Sequence, residues 1–224
     1  MSAGPAIVLA MTTTSVAPRN RAAGLALIAS GAIYFLAEFI TAAAWTDPPY
    51  SYTYHFISDL GVHGPVTAFG QYMYSPLADL MNTGLVLFGL AALAGVLLLR
   101  GLPAGRRAAL VVIAVVLAAG STVVALFPGS SEDSAYHGLG ALGAFAGGNV
   151  LVILLGAAHR HLGVSRRLGR ALVATGILGF VFLVLYLTVA TGAGVLIGFF
   201  ERGVIYPFLI GFIVLGARMR IGPA

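Results

Sequence analysis

Residues 54–64, with the sequence YHFISDLGVHG, concentrate groups that can exchange protons in a chain that is otherwise apolar. His55 and Asp59 are four residues apart, which places them on one face of a helix, where the carboxylate would orient the imidazole. Ser58 and Tyr54 bring hydroxyl groups to the same segment. This combination is typical of general acid–base catalysis and predicts that the segment covers a polar pocket.

Further ionisable side chains lie in long apolar stretches of the chain. An arginine or a carboxylate near the centre of a membrane helix costs about 2.5 to 3.5 kcal/mol, so such groups face other helices and pair. Arg202 is expected to reach across to Glu38, because its neighbour Glu201 points about 100° away around the helix. Glu201 is then expected to face Asp79 or a histidine. The candidate catalytic residues are Asp59, His55, His137 and Glu201, and the candidate substrate-binding residues are Arg202, Glu38, Asp79, Asn82, Ser58 and Tyr54.

The composition that surrounds these residues is that of a membrane protein. Hydrophobic residues make up 59% of the 224 residues and charged residues 8%, whereas an ordinary soluble domain has about 25% charged residues. The mean hydropathy is +0.99. Cysteine is absent, which excludes disulfides, thiolate metal sites and cysteine nucleophiles.

Six apolar stretches are long enough to cross a hydrocarbon core of roughly 30 Å as helices. They lack the period-two alternation of a membrane barrel, and backbone groups in lipid must be satisfied within each segment. We therefore expect an all-α polytopic membrane protein, a six-transmembrane-helix bundle with a short interfacial helix in the first outer loop, at residues 52–60. The predicted spans are 22–45, 76–99, 108–127, 138–158, 171–190 and 194–216, within a single domain over 22–216, and cytoplasmic tails are predicted at 1–21 and 217–224.

The basic residues predict the orientation of the spans. If six spans alternate in direction, every basic residue except Arg202 falls on one side of the membrane. The opposite connections carry acidic residues instead, among them Glu132 and Asp133. By the positive-inside rule the basic side, which includes both termini, is cytoplasmic.

The intramembrane polar residues are predicted to lie at one depth. Glu38 and Glu201 are each seven residues from the outer end of their predicted spans, or about 10 Å at 1.5 Å per residue. Asn82 and Ser121 are each six residues in, or roughly 9 Å. Four helices thus bring polar groups to one layer of the outer leaflet. This layer favours a pocket, although a buried glutamate and arginine can also simply hold helices together.

No cofactor is required by the sequence, and a divalent metal is a weaker alternative. His55, Asp59 and His137 offer two imidazoles and one carboxylate, a combination that zinc and other metals accept. Their spacing matches no tight metal motif of the HExxH kind. The basic residues lie beside membrane spans, so no nucleic-acid partner is expected.

Three segments resemble landmarks of the domain of unknown function 998 family of prokaryotic membrane proteins. They are HFISDLG after the first span, FPGSSEDSAYHGLGA at the start of the fourth, and GFFERGVIYPFLIG in the sixth. The resemblance covers most of the chain from the first span onward. It implies a compact six-helix integral membrane protein of a prokaryotic plasma membrane, and it implies no particular activity or catalytic residue.

The polar layer predicts an enzyme that acts on a membrane lipid or isoprenoid at the outer leaflet by acid–base chemistry. In this hypothesis Arg202 holds a phosphate or carboxylate headgroup. The alternative is a non-catalytic protein that binds a lipid headgroup, or an accessory subunit. A small transporter is the third possibility, and the lack of ionisable residues in the inner halves of the spans disfavours it. The oligomeric state is not predicted.

Overall fold

The structure, a computed structural model, describes residues 20–68, 70–129, 134–190 and 196–221. In this part of the chain six helices are long and apolar enough to cross a membrane. They are α1 (Arg21–Ala44), α2 (Ala78–Leu97), α3 (Ala104–Leu126), α4 (Ser134–Ala157), α5 (Arg166–Ala190) and α6 (Ile197–Ile221). The predicted all-α, six-helix membrane fold is confirmed. Residues 1–19 of the predicted tail, and Glu132 and Asp133, lie outside the described residues.

The helices extend beyond several predicted spans at the end of the bundle that carries the arginines. α3 begins at Ala104 instead of residue 108, α5 begins at Arg166 instead of 171, and α6 ends at Ile221 instead of 216. Arginines occupy these additional turns because the long side chain reaches the polar zone while the backbone remains helical. At the opposite end α6 begins at Ile197 instead of residue 194, so Glu201 lies closer to the helix start than predicted.

The helices form a ring in chain order. Each helix packs against the next one, α6 closes the ring against α1, and α4 also packs against α6. Small residues permit these close approaches. A methyl group on Gly24 of α1 would lie 2.6 Å from the carbonyl oxygen of Gly216 on α6. The α1–α6 contact is therefore backbone against backbone, and it aligns the two helices that carry Glu38 and Arg202.

Residues 45–77, here called the roof, connect α1 to α2 and cover one end of the bundle. The short interfacial helix predicted at residues 52–60 is not confirmed, since residues 52–54 form turns and a 3₁₀ helix spans Ser58–Gly61. The roof also contains an antiparallel hairpin, β1 (Val66–Ala68) and β2 (Gln71–Met73), which pairs Val66 with Met73. The sequence analysis did not predict this hairpin. Its turn includes Gly70, whose φ of +74° favours glycine.

Candidate functional site

Arg202 and Glu38 form a buried ion pair between α6 and α1. The Arg202 Nε donates to Glu38 Oε1 at 2.9 Å, and Nη2 lies 2.8 Å from the same oxygen. Arg202 is 7% exposed and Glu38 is fully buried. The predicted pairing across the bundle is confirmed, and it shows that two charged groups from separate helices share one depth.

Arg202 also fastens the roof to the bundle. Its Nη1 donates to the carbonyl oxygens of Tyr52 at 2.7 Å and Gly198 at 3.0 Å, and Nη2 donates to the Tyr50 hydroxyl at 2.6 Å. Because the Tyr52 carbonyl turns toward the guanidinium, the backbone there does not continue as a helix. All three guanidinium nitrogens are engaged within the protein, so Arg202 is placed to hold the roof rather than a lipid headgroup.

Two tyrosines complete this ion-pair cluster, and the sequence analysis did not identify either as a site residue. The Tyr206 hydroxyl donates to Glu38 Oε1 at 2.9 Å. The Tyr50 hydroxyl, which accepts from Arg202, donates to the Phe56 carbonyl at 2.9 Å. For Tyr206 a signal was present, because it follows Arg202 by four residues and therefore lies on the same helix face.

Glu201 lies apart from this ion pair although it is the neighbour of Arg202 in sequence. Its Oε2 accepts a hydrogen bond from the backbone N–H of Ile57 in the roof. Glu201 is 4% exposed. Of its two expected partners, Asp79 is wrong, because the Asp79 side chain is 90% exposed. A histidine, His137, lines the same cavity as Glu201. A carboxyl group is thus buried at the end of the bundle against a backbone donor.

Glu201 lines a narrow, partly open cavity beneath the roof, with a volume of about 40 Å³. This is room for a few water molecules or for the end of an apolar chain, and not for a whole lipid. Polar groups on the wall come from Glu201, His137, Ser58, Ser121 and Tyr34. The rest of the wall is apolar or aromatic and includes Ile57, Leu85, Phe88, Phe145, Ile205 and Phe208.

His137 presents a defined tautomer to this cavity. Its Nδ1 lies 2.8 Å from the carbonyl oxygen of Phe127. A carbonyl oxygen can only accept, so Nδ1 carries the proton and Nε2 is the basic nitrogen of the neutral ring. His137 lines the same cavity as Glu201, so its imidazole is a candidate base for chemistry at this site.

The contact between His55 and Asp59 that their spacing predicts is wrong, because each side chain bonds to the backbone instead. His55 Nδ1 accepts from the Ser51 N–H at 2.9 Å, and Asp59 Oδ2 accepts from the Phe56 N–H at 3.0 Å. Within the described roof both side chains therefore bond to the backbone, because no regular helix brings them onto one face. His55 stacks on Tyr50 with ring centroids 5.2 Å apart, which gives it a structural place in the roof.

Burial changes the acid–base behaviour of both roof residues. It raises the pKa of the Asp59 carboxyl from 3.8 to about 7, against the opposing effects of the Phe56 N–H and the charge on Arg202. Burial, and then the positive charge on Arg202, lowers the pKa of His55 below 6.5. Both residues thus favour their neutral forms, as a low-dielectric site requires.

Two predicted substrate-binding residues lie outside the site. The Asp79 side chain is 90% exposed and pairs with His63 at 3.0 Å. Tyr54 is 55% exposed and contributes its backbone to the roof, where its carbonyl accepts from Gln71 Nε2 at 2.6 Å. Asp79 lies in the first turn of α2, where an acidic side chain can reach water and needs no buried partner.

Asn82, a predicted substrate-binding residue, bonds to the roof. Its Nδ2 donates to the Gly61 carbonyl at 3.0 Å, at the end of the 3₁₀ helix Ser58–Gly61. Asn149 makes an equivalent contact deeper in the bundle, since its Nδ2 donates to the Val204 carbonyl at 3.1 Å and joins α4 to α6. Such an interhelical hydrogen bond is a common role for a lone amide in a membrane bundle.

The metal alternative finds no support in the geometry. Among the residues that the structure describes, no three side chains of the histidine, aspartate or glutamate type are grouped so as to hold an ion. His137 lines the cavity beneath the roof, whereas His55 is stacked in the roof. The three predicted ligands, His55, Asp59 and His137, therefore do not form a site.

An apolar groove lies between α5 and α6. It has a volume of about 470 Å³, and its wall includes Phe182, Phe199, Tyr206 and Ile210, with Arg202 at one side. From Phe199 to Ile210 is eleven residues of α6, or about 16 Å, which is about half of a hydrocarbon core. The groove therefore matches the length of one lipid chain in a single leaflet.

Comparison with known proteins gives a family match. The family model described as Protein of unknown function (DUF998) matches residues 27–218, which is most of the 224-residue chain. No curated protein and no solved structure matches the chain.

Proposed function

Because the chain belongs to the DUF998 family, whose description names no activity, we propose from the site geometry that it is an integral membrane enzyme performing acid–base chemistry on a lipid or isoprenoid. The observation that carries this proposal is the position of Glu201. It is buried on the wall of the cavity and bonds to the Ile57 backbone N–H, although an arginine is its immediate neighbour. A buried acid that is not used in an ion pair is costly, and such groups mark functional sites.

Both an acid and a base line the cavity. Glu201 can give a proton to the substrate, and His137 can take one from another position, so the substrate is isomerised with no net gain or loss of protons. Transfer of a proton from His137 back to Glu201 through water then restores both groups for the next turnover. The His137 Nδ1–H bond to the Phe127 carbonyl keeps the imidazole in the tautomer that accepts at Nε2. Because the cavity holds only the end of a chain, the substrate would insert its reacting end and leave the rest in the membrane.

The aromatic wall suits a positively charged intermediate. Protonation of an isoprenoid double bond places a positive charge on carbon, and aromatic faces attract a cation. Phe88, Phe145 and Phe208 line the cavity that Glu201 and His137 share. These rings would stabilise the cation after proton transfer while keeping bulk water away from it.

We place the protein in a prokaryotic plasma membrane with both termini in the cytoplasm. The loops at the end of the bundle opposite the roof carry the arginines, and arginine-rich loops remain cytoplasmic. The roof and the cavity would then face the outer leaflet.

The groove between α5 and α6 favours a second candidate function, non-catalytic lipid binding. Its length and apolar wall fit a single acyl or prenyl chain. In this role the protein would hold one lipid of the outer leaflet without changing it, and Arg202 would hold the roof closed over the bundle.

Lipid turnover separates the two candidates. The purified protein in nanodiscs is incubated with total prokaryotic lipid extract, and both bound and free lipids are followed by mass spectrometry. The proposed enzyme converts a lipid into a product whose yield grows with time and disappears in Glu201→Gln but not in Asp47→Asn, a change at an exposed acid. A lipid that co-purifies and remains chemically unchanged, with no product from any lipid, contradicts the enzyme and supports the lipid-binding protein.

A further inference from the structure

Tyr34 is a cavity residue whose polar group has no role in the interactions described above. It lies on α1 and is 1% exposed, and its ring packs edge-on against Phe88 with centroids 5.3 Å apart. Its hydroxyl is buried and has no hydrogen-bond partner among the described residues. Tyr34 lines the same cavity as Glu201 and His137.

The unpaired hydroxyl is unfavourable for packing alone. A phenylalanine would fill the same space against Phe88 without burying a polar group, and a buried donor without a partner destabilises the folded state. The Ser121 hydroxyl, which also lines the cavity, has a hydrogen-bond partner, because it donates to the Ala118 carbonyl at 3.1 Å. The Tyr34 hydroxyl is therefore suited to a partner that enters from the cavity.

The residues of the cavity wall limit which chemical groups can bond to the Tyr34 hydroxyl. No arginine or lysine is among the described residues that line the cavity, so a phosphate or a carboxylate would lack a counter-charge. The volume of about 40 Å³ admits only a few non-hydrogen atoms. A neutral oxygen on a short apolar group, branched or linear, needs no counter-charge and is small enough for this volume.

We propose, building on the enzyme proposed above, that the Tyr34 hydroxyl donates a hydrogen bond to a neutral oxygen of the substrate. The substrate class is then an isoprenoid or lipid whose inserted end carries an alcohol, carbonyl or ether oxygen, in place of a pure hydrocarbon or a phosphate ester. Tyr34 orients this end while Glu201 and His137 exchange protons with it. The bond to Tyr34 also determines which atoms of the inserted end face the acid and the base.

A matched ligand pair tests this assignment. The five-carbon alcohol 3-methyl-2-buten-1-ol and the hydrocarbon 2-methyl-2-butene differ by the oxygen atom, and their dissociation constants are measured by ligand-observed NMR on the protein in nanodiscs. We expect the wild-type protein to prefer the alcohol by about 10-fold, the range of a hydrogen bond to a buried group. Tyr34→Phe should abolish the preference while hydrocarbon binding persists. Tyr136→Phe, a change at an exposed tyrosine, should keep the preference and controls for the general effect of removing a tyrosine hydroxyl.

A preference that survives in Tyr34→Phe overturns the assignment, as does a wild-type protein that binds both ligands equally or binds neither. A measurement on the wild-type protein avoids dependence on the variant's folding. With ¹³C-labelled tyrosine, the Tyr34 resonance should shift with the alcohol and not with the hydrocarbon, and an unchanged resonance with the alcohol contradicts the proposal.

Failure of the Tyr34 assignment can be distinguished from failure of the proposed enzymatic function. If lipid turnover requires Glu201 but the alcohol preference is independent of Tyr34, the enzyme stands and the substrate assignment is wrong. If the preference depends on Tyr34 and no lipid is ever converted, the binding site stands and the enzymatic function is wrong.

Discussion

Arg202 on α6 and Glu38 on α1 are 164 residues apart in sequence and are joined by a hydrogen bond of 2.9 Å. The same guanidinium holds the backbone of Tyr52 in the roof. One buried cation therefore connects two helices and the segment that covers them. This places the roof, and with it the Ile57 N–H that meets Glu201, at a fixed position over the cavity.

Loss of the Arg202 side chain should be strongly destabilising. Arg202→Gln leaves the Glu38 carboxylate buried without its counter-charge, and breaking a buried pair in this way costs about 3 to 5 kcal/mol in the free energy of unfolding. Unfolding in denaturant can be followed by the fluorescence of Trp45, the single tryptophan, which packs against Tyr50 and His55. The control Arg106→Gln, at an exposed arginine, should change stability by no more than about 0.5 kcal/mol. Equal effects of the two changes would contradict a structural role for the pair.

Asp59 should make the roof less stable as the pH rises. Its pKa is about 7 in the folded protein, compared with an ordinary 3.8, so the folded state binds the proton more tightly than the unfolded chain. Stability from this group is therefore fully present below about pH 4 and is lost as the pH rises to about 7. His55, with a lowered pKa, acts in the opposite direction as the pH falls below 6.5. Comparing Asp59→Asn with wild type isolates Asp59, because His55 is common to both proteins.

The measurement for Asp59 is the pH dependence of unfolding, again followed by Trp45 fluorescence. The free-energy difference between wild type and Asp59→Asn should change steadily between about pH 4 and pH 7. A difference that is constant across this range would show that burial does not favour the neutral carboxyl.

Of Asn82 and Asp79, three residues apart on α2, Asn82 should contribute more to the stability of the roof. Asn82→Ala removes the donor to the Gly61 carbonyl and should destabilise the roof by about 0.5 to 1.5 kcal/mol. Asp79→Asn affects an exposed pair with His63, and such pairs contribute about 0 to 1 kcal/mol. Hydrogen exchange at residues 58–62 measures the local opening directly. Faster exchange in Asp79→Asn than in Asn82→Ala would reverse the roles assigned to them.

The α1–α6 contact should tolerate no side chain at Gly24. A methyl group there meets the Gly216 carbonyl oxygen at 2.6 Å, and because backbone cannot move aside cheaply, Gly24→Ala should cost about 1 to 3 kcal/mol. Gly105→Ala on α3 is the matched control, since nothing lies within 4 Å of the added methyl group. That change should be neutral or stabilise the protein by up to about 1 kcal/mol. Thermal unfolding in one detergent compares the two, and a Gly24→Ala protein as stable as wild type would contradict the close approach.

The six helices and the Arg202–Glu38 ion pair could be predicted from the sequence, because the hydrocarbon core constrains both the length of a span and the position of a charge. Apolar length determines a span, and a charge within it must find a partner at the same depth. Counting residues from the span ends therefore brought Glu38 and Arg202 together. The position of Tyr206 beside Arg202 follows from the sequence in the same way, because the two residues are four apart on one helix face.

The backbone conformation of the roof could not be predicted in the same way. Its backbone is set by the carbonyl groups that turn toward Arg202, and a spacing of four residues places His55 and Asp59 together only if the segment is helical. The hairpin strands are three residues long, too short for a clear alternation of apolar and polar residues. Asp79 lies at a helix start, where water is within reach, so depth alone did not require it to point inward.

The most direct test of the central claim, that Glu201 carries proton-transfer chemistry in the cavity, is the turnover rate of Glu201→Gln on the lipid that the wild-type protein converts. The amide keeps the size of the side chain and loses the proton that it exchanges. We predict a rate lower by at least about 100-fold, the usual contribution of a general acid or base, with Asp47→Asn unchanged. A folded Glu201→Gln protein that turns over within about two-fold of wild type would contradict the account.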